Sequence, residues 1–477
     1  MVLAMQSKSQ VPLLLLLTVL AGAPFLASLD LFVVNVAFGD IGVAFPGHTL
    51  GELSWILNIY AIVFAALLIP LGRWSDKAGR KRGFLLGLGL FTVASILAAA
   101  APSLEVLIGG RVLQAVGAAL LTPTSLGLLI DAVPTDKRAG AVRIWAALGA
   151  LAAAFGPVVG GLLVELSWRW VFVINIPIGL ALIVLALRFV PDSTASTRAD
   201  TLDLVGALAL TLGIGALALG LVQGPDWGWG SVGIIASFVV AVLAVVAFWR
   251  HNSKHSSPLI DPALLKVRTF AWANLSALLF SAAFAAGLLA NIFWLQQVWG
   301  YSALTTGLAV APGPVMVPFF SYLGQKLARR IGPGVIAAAG CLLLAAGSIL
   351  VLMSVTTDPA YASTFLPGWL VAGAGVGLAL PTILSSATAD IPAARGATGS
   401  AVVNMSRQIG TVSGISALVA ILGSVAGQAG FSAAWWVIAS IAVLSAGSAL
   451  GLGRVRPSPQ PELAPIAPAP TAGPHNR

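Results

Sequence analysis

The sequence predicts an all-α polytopic membrane protein with fourteen spanning helices, and three observations carry that prediction. Of the 477 residues, 58% are hydrophobic and only 9% are charged, against about 25% charged in soluble domains. Mean hydropathy is correspondingly high, at +0.98. Apolar runs of about twenty residues, long enough for a hydrocarbon core of about 30 Å, recur fourteen times along the chain. Lys and Arg collect in every second loop, the pattern of a chain threaded repeatedly through a bilayer.

The first six runs fall at 12–37, 53–71, 84–101, 104–129, 141–164 and 171–190. Two more follow at 204–222 and 231–249, and the last six at 270–296, 303–323, 334–354, 364–386, 398–423 and 432–452. Residues 1–38 read as a retained first helix rather than a secretory signal, because the apolar run is long and many more follow it. Residues 453–477, rich in Pro and Ala, read as a disordered tail. The 52 Gly and 14 Trp suit lipid, since Gly permits close helix contacts and Trp favours the interface.

Charge tests the count. With the N-terminus inside, the inside segments hold Lys8; Arg73, Lys77, Arg80, Lys81 and Arg82; Lys137, Arg138 and Arg143; and Arg188 and Arg198. They go on to hold Arg250, Lys254, Lys266 and Arg268; Lys326, Arg329 and Arg330; Arg395; and Arg454, Arg456 and Arg477, which makes 22 of the 25 cations. Arg111 and Arg407 lie within apolar runs, and Arg169 alone sits in an outside loop. An even number of spans with both termini cytoplasmic follows from the alternation. The net charge of +9 is thereby explained as an orientation signal, so no nucleic-acid partner is expected.

The densest of these loops, Gly72 to Arg82, packs five cations and Asp76 between two apolar runs. Gly324 to Gly332 echoes it after the tenth run. The echo divides the chain into a six-helix bundle at 1–190, a two-helix insert with flanking loops at 191–268, a second six-helix bundle at 269–452, and the tail. Paired halves of this kind hold a site near the midplane where they meet.

Asp30 is the one acid clearly embedded in an apolar run. An ionised carboxylate is costly there, so it is a candidate for reversible proton binding; the alternative is a structural carboxylate paired within the bundle. It stands about 18 residues, or roughly 27 Å, into the first helix. Arg111 stands about seven residues, roughly 10 Å, into a fourth helix that enters from the other side. Both depths fall in the outer half, so the two are expected to sense each other directly or through water. Arg407 is a second buried cation, read either as part of a substrate path or gate or as a snorkelling side chain.

Gly156, Pro157, Gly160 and Gly161 in the fifth helix combine a lost backbone hydrogen bond with bare contact surface. They suit a hinge between halves or a purely structural kink; Gly313, Gly373, Gly375, Gly377 and Pro381 suggest similar bends later on. Asn35, Trp55, Asn58, Tyr60, Asn291, Trp294, Gln297 and Asn404 are candidate cavity residues, although Trp55, Trp294 and Gln297 suit interface anchoring equally. Cys341, the lone cysteine, allows no intrachain disulfide and reads as packing. The four histidines show no zinc-ligand spacing, so no metal, catalytic residue or cofactor is expected, and the chain is read as no enzyme.

The residues as a set resemble the major facilitator superfamily. Gly72, Asp76, Gly79, Arg80 and Lys81 match its loop motif of glycine, three residues, aspartate, two residues, glycine, arginine and a basic residue. Arg111-Val112-Leu113-Gln114 with Gly117 resembles its fourth-helix motif, with Ala115 in place of the usual glycine. Gly156-Pro157 with Gly160-Gly161 resembles its fifth-helix antiporter motif. Leu29-Asp30 with Val33 to Ala37, and Trp168 to Pro177, resemble the fourteen-helix drug:proton antiporters of the EmrB/QacA type, although the first motif here ends Phe38-Gly39.

The resemblance implies the major facilitator fold, two six-helix bundles plus two inserted helices. It implies a proton-gradient-driven antiporter that exports small amphipathic drugs or metabolites by alternating access, working as a monomer in the plasma membrane. It assigns proton coupling to Arg111, antiport to Gly156 and Pro157, and to Asp76 a cytoplasmic latch; Ala328 stands where Asp76 has its counterpart in the second half. Few helix-borne acids beyond Asp30 point away from dicationic cargo. The alternative is a same-fold transporter of one specific metabolite with other coupling or direction.

Overall fold

A chain in hydrocarbon must satisfy its own backbone hydrogen bonds, and the helix does so within each segment. The computed structural model describes residues 13–134, 137–192, 203–255, 258–391, 396–425 and 427–453. The tail beyond 453 and the cations Lys8, Arg198, Arg395, Arg454, Arg456 and Arg477 lie outside the described residues.

The first bundle comprises α1 (Leu13–Ala44), α2 (Leu50–Ala78), α3 (Arg80–Ala99), α4 (Leu104–Ala132), α5 (Arg138–Val164) and α6 (Trp170–Phe189). The insert is α7 (Leu204–Trp227) and α8 (Val232–Asn252). The second bundle comprises α9 (Arg268–Val298), α10 (Ala303–Ile331), α11 (Pro333–Ser354), α12 (Tyr361–Ala389), α13 (Gly396–Ser424) and α14 (Gly427–Leu452). Among the described residues, 13 of these are long and apolar enough to cross a membrane; α5, 27 residues long, completes the fourteen.

Polar loop residues start several helices. Thr49 caps α2 reciprocally with Glu52, each side chain accepting from the other's backbone N–H at 3.2 and 2.9 Å. Ser231 and Ser302 cap α8 and α10. Helices run past the apolar boundaries. In particular α2 continues to Ala78, so the expected basic turn shrinks to Gly79, because Arg73, Lys77 and Ala78 are good helix formers once the chain reaches water. Gly79 has φ +102° and Gly332 has φ +99°, a region that favours glycine. Each lies between the second and third helix of its bundle, which makes the sequence echo a repeated backbone conformation.

The two bundles share one packing scheme. In the first, α1 packs on α5, α2 on α4, α3 on α4, and α3 on α6; in the second the equivalent pairs are α9 with α13, α10 with α12, α11 with α12, and α11 with α14. The bundles join along two seams, α2 against α13 and α5 against α10, which exchange under the same repeat. Small residues set the approach. Gly156 and Gly160 face Phe32 and Val33 of α1, while Gly410 and Gly414 face Leu278 and Ala282 of α9. The insert covers one seam only, α7 lying on both α2 and α13, with α8 outside it. Val242 and Leu243 of α8 are 63% and 61% exposed, the surface expected of a lipid-facing helix.

Candidate functional site

Five helices of the first bundle deliver polar groups to one buried point. Arg111 on α4 donates from Nη1 to Asp30 Oδ2 on α1 in a direct ion pair. The same nitrogen donates to Gln114 Oε1 at 2.9 Å, and Nε donates to the Ile56 carbonyl of α2 at 3.1 Å. The guanidinium lies over the Tyr60 ring, 4.3 Å from its centroid. Asp30 Oδ1 accepts from Asn175 Nδ2 of α6 at 2.7 Å and from Gln114 Nε2 at 3.1 Å. Gln114 Nε2 also donates to Ser95 Oγ of α3 at 2.9 Å. Asp30, Arg111, Gln114, Ser95 and Asn175 are all fully buried.

Every partner of Asp30 donates, so the arrangement suits a carboxylate, and a proton arriving on it removes the charge that holds the Arg111 guanidinium. Arg111 Nη2 and Asn175 Oδ1 are buried without a hydrogen-bond partner, leaving capacity for a second arrangement of the same groups. A buried ion pair is weak evidence for stability, since desolvation offsets much of the attraction. Within a membrane such a group points to function.

The loop motif ties three helix ends together. Arg80, at the start of α3, donates from Nε to Asp76 at 2.7 Å and from Nη1 to Asp131 at the end of α4 at 2.5 Å. Lys81 Nζ lies 3.1 Å from Asp192 after α6, and Arg73 Nη2 donates to the Pro258 carbonyl at 2.7 Å. Gly72 sits against Pro123 of α4, where a Cβ would meet the ring at 3.3 Å. Both ion pairs of Arg80 thus lie within the first bundle. Asp76 is paired with Arg80 of its own bundle.

The glycine motif of α5 lies on a seam between bundles. A Cβ on Gly161 would stand 2.6 Å from Leu304 Cα and 2.7 Å from the Ala303 oxygen, both on α10. Gly307 of α10 lies directly against the Pro157 carbonyl. At the same end of the molecule, opposite the Gly72–Arg82 segment, Phe38 and Phe293 rings stand 5.2 Å apart and Gln296 Nε2 donates to the Val36 carbonyl at 2.9 Å.

The cavity candidates divide. Asn58 is buried on α2, Asn35 bonds its own helix at the Leu31 carbonyl, and Trp55 is half-buried. Asn404 Oδ1 accepts from Arg407 Nη1 at 3.1 Å; Arg407 is half-buried, with its Nε buried and without a partner. Asn291 accepts from Trp435 Nε1 at 3.0 Å, inside the second bundle. Trp294 needs correction as both cavity lining and interface anchor. It is fully buried against Phe431 and Trp435, each 5.2 Å away between ring centroids. Gln297 needs correction as cavity lining only, since its exposure accords with the anchoring alternative. It is exposed, and its neighbour Gln296 reaches the first bundle instead, because a widened turn with Trp299 N–H bonded to the Trp294 carbonyl rotates the end of α9.

Sequence reasoning missed Gln114 and Asn175 as partners of the acid, Ser95 as the partner of Gln114, and Gln296 as the bridge. Uncharged polar residues within apolar runs were the available signal, Gln114 standing one turn from Arg111. No side-chain pattern announces the Ile56 carbonyl.

Two six-helix bundles joined along repeated seams, one with a buried charge network at its heart, define a membrane transporter rather than an enzyme. The profile of the Major Facilitator Superfamily matches residues 20–203 and 202–415, and the chain belongs to that superfamily. It is 33% identical over 402 residues to "Multidrug resistance protein Stp" of Mycobacterium tuberculosis, covering 83% of this chain and 74% of the relative. It is 31% identical over 448 residues to "Methylenomycin A resistance protein" of Bacillus subtilis, covering 91% and 92%. It is 32% identical over 411 residues to "Multidrug efflux pump LfrA" of Mycolicibacterium smegmatis, covering 84% and 79%. Among solved structures, a peptide transporter POT in complex with sulfate superposes with a TM-score of 0.67 at 16% identity, covering 91% of this chain and 93% of that one; this likeness concerns the fold alone.

Proposed function

We propose that this chain is a proton-driven efflux antiporter for small amphipathic compounds. One observation carries the reading: a fully buried carboxylate paired with a fully buried guanidinium inside a membrane bundle. In this reading protonation of Asp30 loosens its bond to Arg111. The guanidinium then turns to other acceptors, and the repacking of α1 against α4 and α6 biases the rocking of the bundles. The relatives' names, with their multidrug and antibiotic resistance, support export as the direction. The basic ends of the helices face the cytoplasm, both termini lie there, and the protein works as a monomer in the plasma membrane. Contacts between bundles at the end opposite the basic loops then support a state open to the cytoplasm.

The test uses everted vesicles or proteoliposomes containing the full chain and ethidium, a small amphipathic cation, as probe. Transport out of the cytoplasmic compartment is expected to follow an imposed pH gradient, to stop when nigericin collapses it, and to be lost in Asp30→Asn. Gradient-independent transport at the wild-type rate would remove the proton role.

A further inference from the structure

The insert carries a second cluster of chemistry, remote from Asp30. Asp203 caps the start of α7, and α8 ends at Asn252. The two helices form a packed hairpin, so Asp203 returns beside the end of α8 across 48 residues. His251 Nε2 lies 2.7 Å from Asp203 Oδ1. His255 follows one helical turn on, its N–H donating to the His251 carbonyl at 3.0 Å, and the two rings stand 5.1 Å apart. Ligand atoms of all three residues lie within 4.8 Å of one another.

We propose that Asp203, His251 and His255 bind a divalent transition-metal cation of the zinc class and that this cation straps the base of the insert hairpin. Asp203 is 1% exposed, and although Oδ1 accepts from the Gly206 N–H at 2.7 Å, Oδ2 is buried with no hydrogen-bond partner. Buried carboxylate oxygens are rarely left so, and a cation supplies the missing partner. The backbone is shaped around that oxygen, because a Cβ on Gly206 would overlap it.

His255 stands four residues after His251, just past the end of α8, and its backbone bond to the His251 carbonyl carries the helical turn on by one step, so the pair keeps the i, i+4 spacing that holds zinc in helical sites. Imidazole with one carboxylate selects zinc, cobalt, nickel or copper over magnesium and calcium, which prefer oxygen shells. Tetrahedral bonds of about 2.0–2.2 Å place donor atoms about 3.3 Å apart, so the cluster closes on an ion by side-chain rotation. Three protein ligands leave one position for water or another donor. The expectation of no metal is corrected on this point: along the chain the histidine pair offers only two ligands, and the hairpin brings in the third.

The test uses the full chain in detergent, without a histidine tag, in a His48→Gln/His475→Gln background so that the pair provides the remaining histidines. After chelator treatment, cobalt(II) alone is titrated and its visible absorption bands are read, then zinc(II) is used to displace it. The expected result is one site with intense tetrahedral-type bands, lost to zinc. His251→Gln and His255→Gln are each expected to weaken binding by more than the about 10- to 100-fold that loss of a supporting partner costs. These changes sit at the end of a surface hairpin, and circular dichroism checks that the fold is retained. No absorption bands, or equal affinity in His255→Gln, overturns the proposal.

Discussion

Asp30→Asn separates two roles that the buried pair could play. The substitution keeps the shape of the side chain but leaves the Arg111 guanidinium fully buried without its counter-charge. It also turns one acceptor oxygen into an NH2 group in a pocket where Arg111, Gln114 and Asn175 already donate. Breaking one side of a buried ion pair costs about 3–5 kcal/mol. The Ile56 carbonyl and Gln114 Oε1 still accept from Arg111, which places the expected loss near the lower end, about 3 kcal/mol. Asp30→Leu/Arg111→Met removes both charges instead. Apolar replacement of a buried pair is often neutral or stabilising by about 1–4 kcal/mol, against which stands the orphaned Asn175 amide at about 1–3 kcal/mol. The double variant is therefore expected to melt close to the wild type, and above Asp30→Asn, while both lose transport driven by a pH gradient. Thermal unfolding in detergent and gradient-driven transport in proteoliposomes read the two effects separately. A double variant no more stable than Asp30→Asn, or one that still couples transport to protons, refutes the reasoning.

Other positions sort by burial and by seam. Gly161→Val sets a side chain against α10 backbone at 2.6 Å, and a cost of about 1–3 kcal/mol shifts the balance against this seam by about 5- to 150-fold; maleimide labelling of a Phe38→Cys reporter should rise, with Cys341 buried and quiet. Trp294→Ala should destabilise the protein by about 3–5 kcal/mol, whereas the exposed Gln297→Ala should stay within about 0.5 kcal/mol, as melting curves would show. Arg80→Gln breaks two ion pairs whose side chains are 32% to 52% exposed, each worth at most about 1 kcal/mol. Its effect on melting should be small and should shrink further in high salt, so a large loss would show that the helix ends depend on Arg80 more than its exposure implies.

The number of spans, the division into paired bundles and the identity of the embedded acid and cation are legible in the sequence. Each follows from one-dimensional quantities: the length of an apolar run matched to a bilayer, the alternation of charge between loops, and the high cost of a charge in hydrocarbon that makes Asp30 and Arg111 conspicuous. Only the tertiary structure decides which helices meet, because in lipid the outward and inward faces are equally apolar and helical periodicity loses its signal. That is why Gln114 and Asn175 emerge as partners of Asp30, why Trp294 turns inward, and why Gln296 rather than Gln297 spans the seam. It is also why Asp203 joins His251 and His255: a hairpin closes what a separation of 48 residues conceals, and no local pattern encodes that meeting.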